Sequence, residues 1–185
     1  MAGRRAVFLD RDDTIMVDAV YAKDPEDVRL LPGAAEGIRA LTDAGFLVVI
    51  ATNQSGLGRG YFTEEDLAAV NRRLRDELRA RGADYDALYY CPHRPEDACE
   101  CRKPKPGLLL RAATDLGIDL DASYCIGDRA WDVEAGRAAG MKTVLITNGQ
   151  HRENLGVWPD HVASDLTEAA RLIRTAQAAR PEVSE

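Results

Sequence analysis

Apolar runs of strand length alternate with helix-length amphipathic segments along nearly the whole chain. "RAVFL" (5–9), "FLVVIA" (46–51), "YDALYY" (85–90), "SYCIG" (123–127) and "KTVLI" (142–146) are short and mostly continuous in their apolar character. That is the mark of strands covered on both faces. Between and after them lie "PGAAEGIRALTDAG" (32–45), "EEDLAAVNRRLRDELRARG" (64–82), "GLLLRAATDLG" (107–117), "AWDVEAGRAAG" (130–140) and "DLTEAARLIRTAQAA" (165–179). Gly45 suits the end of the first helix. Thr63 suits the cap of the second, which carries acids in its first turn and arginines in its last. Strand–helix alternation of this kind predicts an α/β domain with a Rossmann-like parallel sheet and helices on both faces. One domain over 1–185 is expected, with a loose tail at about 179–185. "TNQSGLGRG" (52–60) reads as loop, and "CPHRPEDACECRKPKP" (91–106), with four prolines, as irregular.

Ligands of parallel sheets bind at the carboxyl ends of the strands. Three strand ends carry unusual polar clusters: Asp10 to Thr14, Thr52 to Ser55, and Gly127 to Asp132. All three are expected on one edge. An acid after a strand is often only the cap of the next helix, but here the next helix opens at Pro32 and Gly33, far beyond Asp10. Asp10, Asp12, Asp128 and Asp132 gathered at a dry edge need a cation, and carboxylates with water suit Mg²⁺. Asp10 and Asp12 are two residues apart and share a direction while the chain is extended. One can act as a nucleophile in phosphoryl transfer and the other as general acid and base. Thr52, Asn53, Lys103 and Arg102 supply donors and cations for the transferring oxygens. On a substrate with two phosphates, Arg102, with its bidentate fork, would take the second while Lys103 serves the reacting one.

Cys91, His93, Cys99 and Cys101 follow the pattern C-x-H-x5-C-x-C. Chance thiols or a disulfide are the plain alternatives. Three thiolates and an imidazole suit a closed, tetrahedral and therefore structural Zn²⁺ site. Such a loop, over 91–105, ends on Arg102 and Lys103 and would fix both cations.

At these residues the chain resembles a known family. "FLDRDDT", "ATNQSG", "CRKPKPG" and "IGDRAWD" are similar to the four motifs of the haloacid dehalogenase-like (HAD-like) phosphatases. "DRDDT", "TNQSGLGRGYFT", "YYCPH", "CECRKPKPG" and "ASYCIGD" resemble more narrowly the D-glycero-D-manno-heptose 1,7-bisphosphate 7-phosphatases. Histidinol-phosphate phosphatases are their near relatives, and the match runs from about Val7 to Asn148. The resemblance implies Asp10 as nucleophile and Asp12 as acid and base. It implies Mg²⁺ on Asp10, the Asp12 carbonyl and Asp128, with Thr52 and Lys103 steadying the phosphoryl group. Substrate contacts are implied at Asp18 to Tyr21 (Asp18 and Tyr21 among them), Thr52, Asn53, Gln54, Ser55, Arg102, Lys103 and Arg129. Asp13 stands where heptose phosphatases usually carry glycine, and Asp tolerates a positive φ better than most residues. Arg129 stands where many relatives carry lysine, and both are cations.

No large cap domain is expected, because the segments after the first two strands are short. The reading is a sugar-bisphosphate phosphatase. The alternatives are a histidinol-phosphate phosphatase and a non-catalytic, zinc-stabilised binding protein. A net charge of -7 argues against a general nucleic-acid binder. No apolar stretch approaches the roughly 20 residues of a membrane span, and "MAGRRAVFLD" lacks a signal-peptide pattern. A cytoplasmic monomer acting on a small phosphorylated sugar is expected. Cys125 reads as a core thiol, His151 and His161 as peripheral, and Trp131 as either lining the site or packing its helix.

Overall fold

The computed structural model describes residues 3–148 and 156–178. The expected tail at 179–185 and His151 lie outside them. Within them the chain runs β1 (Ala6–Leu9), α1 (Ala34–Asp43), β2 (Leu47–Asn53), α2 (Ser55–Gly58), α3 (Glu64–Arg79) and β3 (Ala87–Cys91). It continues through α4 (Gly107–Leu116), β4 (Tyr124–Gly127), α5 (Ala130–Ala138), β5 (Lys142–Ile146), β6 (His161–Ala163) and α6 (Leu166–Ala178). All strand pairs are parallel, in the order β3-β2-β1-β4-β5-β6.

The apolar runs are continuous because the sheet is buried twice. Val7, Leu9, Val48, Ile50 and Ile126 face one core with Ile38, Leu74 and Ile173 of α1, α3 and α6. Phe8, Val49, Ala51 and Cys125 face the other with Leu109 and Ala135 of α4 and α5. Cys125 is thus a core thiol, as its apolar neighbours imply. Thr63 caps α3 as expected: its hydroxyl accepts the Asp66 N–H at 3.2 Å, and the Asp66 carboxylate accepts the Thr63 N–H at 2.8 Å.

Two elements go unannounced by run length. α2 is a single turn inside the glycine-rich loop, and β6 is a three-residue edge strand, too short for a periodic signal. The proline-rich segment holds only one 3-10 turn, Pro95–Asp97. No separate cap domain appears among the described residues. None of their helices is long and apolar enough to cross a membrane.

The strand order reverses at β1, whose neighbours are β2 and β4. The Asp10 N–H continues the ladder onto the Ile126 carbonyl at 3.0 Å. The three polar strand ends are therefore adjacent, which is where an open parallel sheet leaves its crevice.

Candidate active site

A cavity of about 310 Å³ opens at this crevice. Asp10, Asp12 and Asp128 line its floor, Thr52 to Ser55 one wall, and Asp18, Val20 and Tyr21 another. Arg11, Ala22, Arg129 and Trp131 line it as well. Most of the residues expected from sequence converge here.

Asp10 is only 8 % exposed. Its carboxylate accepts Lys103 Nζ at 2.9 Å, and Lys103 also meets Asp132 at 2.6 Å and donates to the Ala51 carbonyl at 2.7 Å. Oxygens of Asp10, Asp128 and Asp132 lie within 4.8 Å of one another. Lys103 serves Asp10 and Asp132 while Arg129 Nε lies 2.8 Å from Asp128, so three buried carboxylates share two cations and an excess of negative charge remains. Burial pushes the Asp10 carboxyl up to about 7; Lys103 opposes this, and Asp132 and Asp12 add to it. Burial likewise raises Asp132. For Lys103, burial disfavours the ammonium, but Asp10 and Asp132 outweigh it and hold the group above its usual range. Acid and base shift upward together, as a negative potential requires. The hard oxygen donors and the unneutralised charge fit a magnesium ion.

Asp12 lines the same cavity but has other partners. Its two oxygens lie 3.0–3.2 Å from Arg11 Nε and Nη2, and Gln54 Nε2 donates to it at 2.9 Å. Gln54 also donates to the Thr52 hydroxyl at 2.9 Å. Arg11 is 1 % exposed and donates from Nη1 to Asn71 of α3 at 3.0 Å. The two catalytic candidates thus carry different cations, Lys103 on Asp10 and Arg11 on Asp12. Sequence reasoning missed Arg11, although a lone arginine between two acids signals a partner. It also left the partner of Asp132 unassigned. That partner is Lys103, which the chain brings in from the far side of the cysteine loop. Gly127 lets Asp132 in: a Cβ there would lie 2.3 Å from the Asp132 carboxyl carbon.

Asn53 lines the cavity but spends its amide on Lys103, donating to the Lys103 carbonyl and accepting its N–H, each at 3.1 Å. Asp13 has φ 55, so the turn keeps the conformation that its residue type allows. Arg102 does not line the cavity; its Nη1 donates to the His93 carbonyl at 3.3 Å. Trp131 is 42 % exposed and faces the cavity, settling its two readings in favour of the site.

Beside the pocket, the Cys91, His93, Cys99 and Cys101 ligand atoms lie within 4.8 Å of one another. Separations of 3.2–3.6 Å link Cys91 Sγ, Cys99 Sγ, Cys101 Sγ and His93 Nδ1. All four cysteines are free thiols, Cys125 included. Zinc–sulfur bonds of about 2.3 Å put tetrahedral sulfurs about 3.8 Å apart, so the cluster is compact enough to close on such an ion.

A family model described as HAD-hydrolase-like matches residues 100–169. D-glycero-beta-D-manno-heptose-1,7-bisphosphate 7-phosphatase of Yersinia pestis is 39% identical over 178 residues, covering 90% of this chain and 95% of that protein. The protein of the same name in Escherichia coli strain K12 is also 39% identical, covering 90% and 93%. The solved structure of D,D-heptose 1.7-bisphosphate phosphatase from B. bronchiseptica, complexed with magnesium and phosphate, superposes with a TM-score of 0.82. It is 33% identical and covers 93% of this chain and 99% of that one.

Proposed function

Because the chain belongs to the D-glycero-D-manno-heptose 1,7-bisphosphate 7-phosphatase family of HAD-like hydrolases, we propose that it removes the 7-phosphate of heptose 1,7-bisphosphate as a magnesium-dependent phosphoric monoester hydrolase, in nucleotide-activated heptose biosynthesis. The observation that carries the mechanism is the pairing of two carboxylates at one cavity with two different cations. Asp10, beside Lys103, attacks phosphorus as the bond to the sugar oxygen breaks, giving an aspartyl-phosphate. Asp12 protonates the departing alkoxide. It then takes a proton from the water that attacks the aspartyl-phosphate, releasing phosphate and restoring Asp10. Arg11 and Gln54 hold the Asp12 carboxylate between these two transfers. Thr52 and Lys103 steady the phosphoryl oxygens.

Asp10, Asp128 and the Asp12 carbonyl would hold the magnesium ion, which supplies positive charge to the phosphate when bound. Asp132 keeps Lys103 in place. Cys91, His93, Cys99 and Cys101 would hold zinc, which would stiffen the segment that delivers Lys103. Asp18, Tyr21, Gln54, Ser55 and Arg129 form the surroundings of the substrate, with Asn53 acting through Lys103; Arg102, tied back to His93, lies outside the cavity. The protein works as a cytoplasmic monomer.

The relatives at 39% identity are named for the β anomer, and the same preference is proposed here. Phosphate release from both heptose bisphosphate anomers and from histidinol phosphate tests the assignment. The β anomer should give the highest kcat/KM. A higher value on histidinol phosphate would overturn the substrate.

A further inference from the structure

We propose that Asp13 is a positioning residue for substrate recognition: its carboxylate fixes Arg129 at the cavity wall as the cation for the phosphate that stays on the sugar. The inference rests on the bisphosphate substrate proposed above. Such a substrate carries its second phosphate away from the reacting one and needs a second cation. Lys103 is buried between Asp10 and Asp132, and Arg11 is buried against Asp12. The Arg102 side chain is tied back to the cysteine loop. Arg129 lines the cavity with its side chain 41 % exposed.

Arg129 is held on several sides. Its Nη2 donates to Asp13 Oδ2 at 3.2 Å, and its Nε lies 2.8 Å from Asp128 Oδ2. Its guanidinium carbon lies 5.9 Å from the centre of the Trp131 ring. A guanidinium has five N–H donors in a rigid fork. With Nε and part of Nη2 engaged, the Nη1 edge is the one that, among the described residues, remains for an anion. An arginine already ordered loses less rotamer freedom when a ligand arrives.

Asp13 does not line the cavity, so it acts through its neighbours. Its other oxygen, Oδ1, accepts the Asp18 N–H at 3.1 Å. Three residues after the nucleophile, one carboxylate thus ties the reacting turn to the wall at Asp18 and to Arg129. It fixes the spacing between the reacting phosphoryl group and the second cation. A carboxylate that merely repelled phosphate would act oppositely, and its removal would improve binding.

Asp13→Gly separates the two effects. Glycine enters φ 55 without strain, so the turn persists and only the carboxylate is lost. Kinetics of wild type, Asp13→Gly, Arg129→Ala and the double variant are compared on heptose 1,7-bisphosphate and on p-nitrophenyl phosphate, which lacks a second phosphate. Asp13→Gly should raise KM for the bisphosphate by roughly 3- to 10-fold, with kcat within about twofold, the scale expected when one side chain must be ordered on binding. The change on p-nitrophenyl phosphate should be smaller. With Arg129→Ala already present, Asp13→Gly should add less than about twofold. The proposal is overturned by an unchanged or lowered KM, by an equal effect on both substrates, or by a rise that persists without Arg129. Wild type that turns over p-nitrophenyl phosphate but not the bisphosphate overturns the substrate reading instead, and this inference with it.

Discussion

The pocket at the ends of β1, β2 and β4 and the loop of residues 91–105 meet at Lys103, yet they are held by different means. In the pocket, Asp10 follows directly from a strand, and its N–H completes the ladder. Asp10 has Lys103, Asp12 has Arg11, and Asp13 has Arg129. Without magnesium the balance of charge is poor, but the backbone is fixed by the sheet. In the loop no residue from 92 to 102 is buried. Its one regular turn is three residues long. What brings its ends together is the cluster of three thiols and an imidazole. One candidate metal site is therefore a place prepared by the fold, and a metal at the other would substitute for a missing core. The first ion should matter for chemistry and the second for shape.

The largest effect should come from the pocket without touching its fold. Asp10→Asn removes the attacking charge and should lower kcat by at least about a thousandfold. Denaturant stability should stay level or rise, since a buried charge is gone. Near-normal phosphate release would sink the covalent mechanism. The next effect should come from the loop and look different. Stripping zinc with a strong chelator and restoring magnesium, or making Cys99→Ser, should cut activity roughly 10- to 100-fold. Far-UV circular dichroism should be nearly unchanged, while limited proteolysis should cut between 92 and 102. A metal-free loop with full activity and unchanged protease resistance would end the distinction between the two sites.

Asn53 sits on the boundary, and a smaller effect there would sharpen it. Its amide clamps both backbone groups of Lys103. If the loop serves the pocket through Lys103, Asn53→Ala should lower kcat about tenfold, as slight misplacement of a catalytic group does. The same change in zinc-stripped protein should cost much less, because two losses along one connection do not add. Fully multiplicative losses would mean that the loop acts by another route.

Much of this was legible in the chain. Doubly buried strands leave continuous apolar runs, so the parallel sheet and its polar edge could be read directly. The ligand set of the loop lies within eleven consecutive residues, Cys91 to Cys101, and needs no tertiary knowledge. What stayed hidden depends on distant partners. Arg11 meets Asn71 sixty residues away, and Arg129 meets Asp13 across 116. Neither pairing leaves a local pattern. Arg102 and Lys103 are neighbours in sequence, yet one turns back to His93 and the other enters the core. Trp131 could not be assigned from the helical period, because its exposure depends on where α5 begins against the cavity.

The smallest effect concerns pH, and it separates the two regions again. Burial raises the Asp10 carboxyl from its ordinary 3.8 to about 7 in metal-free protein. An acid whose folded pKa is raised binds more protons when folded. Its contribution is present below 3.8 and lost as pH rises through about 7. Several surface acids, including Asp66 and Asp84, are shifted downward by hydrogen bonds and ion pairs that outweigh burial, so their contributions grow with pH, mostly below 5. Between pH 5 and 7 the buried carboxylates should dominate. Protein dialysed free of magnesium, but not exposed to a strong chelator, should therefore lose melting temperature across that window, by roughly 2–4 °C for each kcal/mol involved. Asp10→Asn should flatten the fall, and added magnesium should do the same by favouring the charged carboxylate. Stripping zinc should lower the whole curve, most at its upper end because thiolate ligands release protons on binding the metal, and should leave the fall in place. A slope that survives Asp10→Asn, or one that follows the zinc instead, would place the pH-sensitive charge outside the pocket.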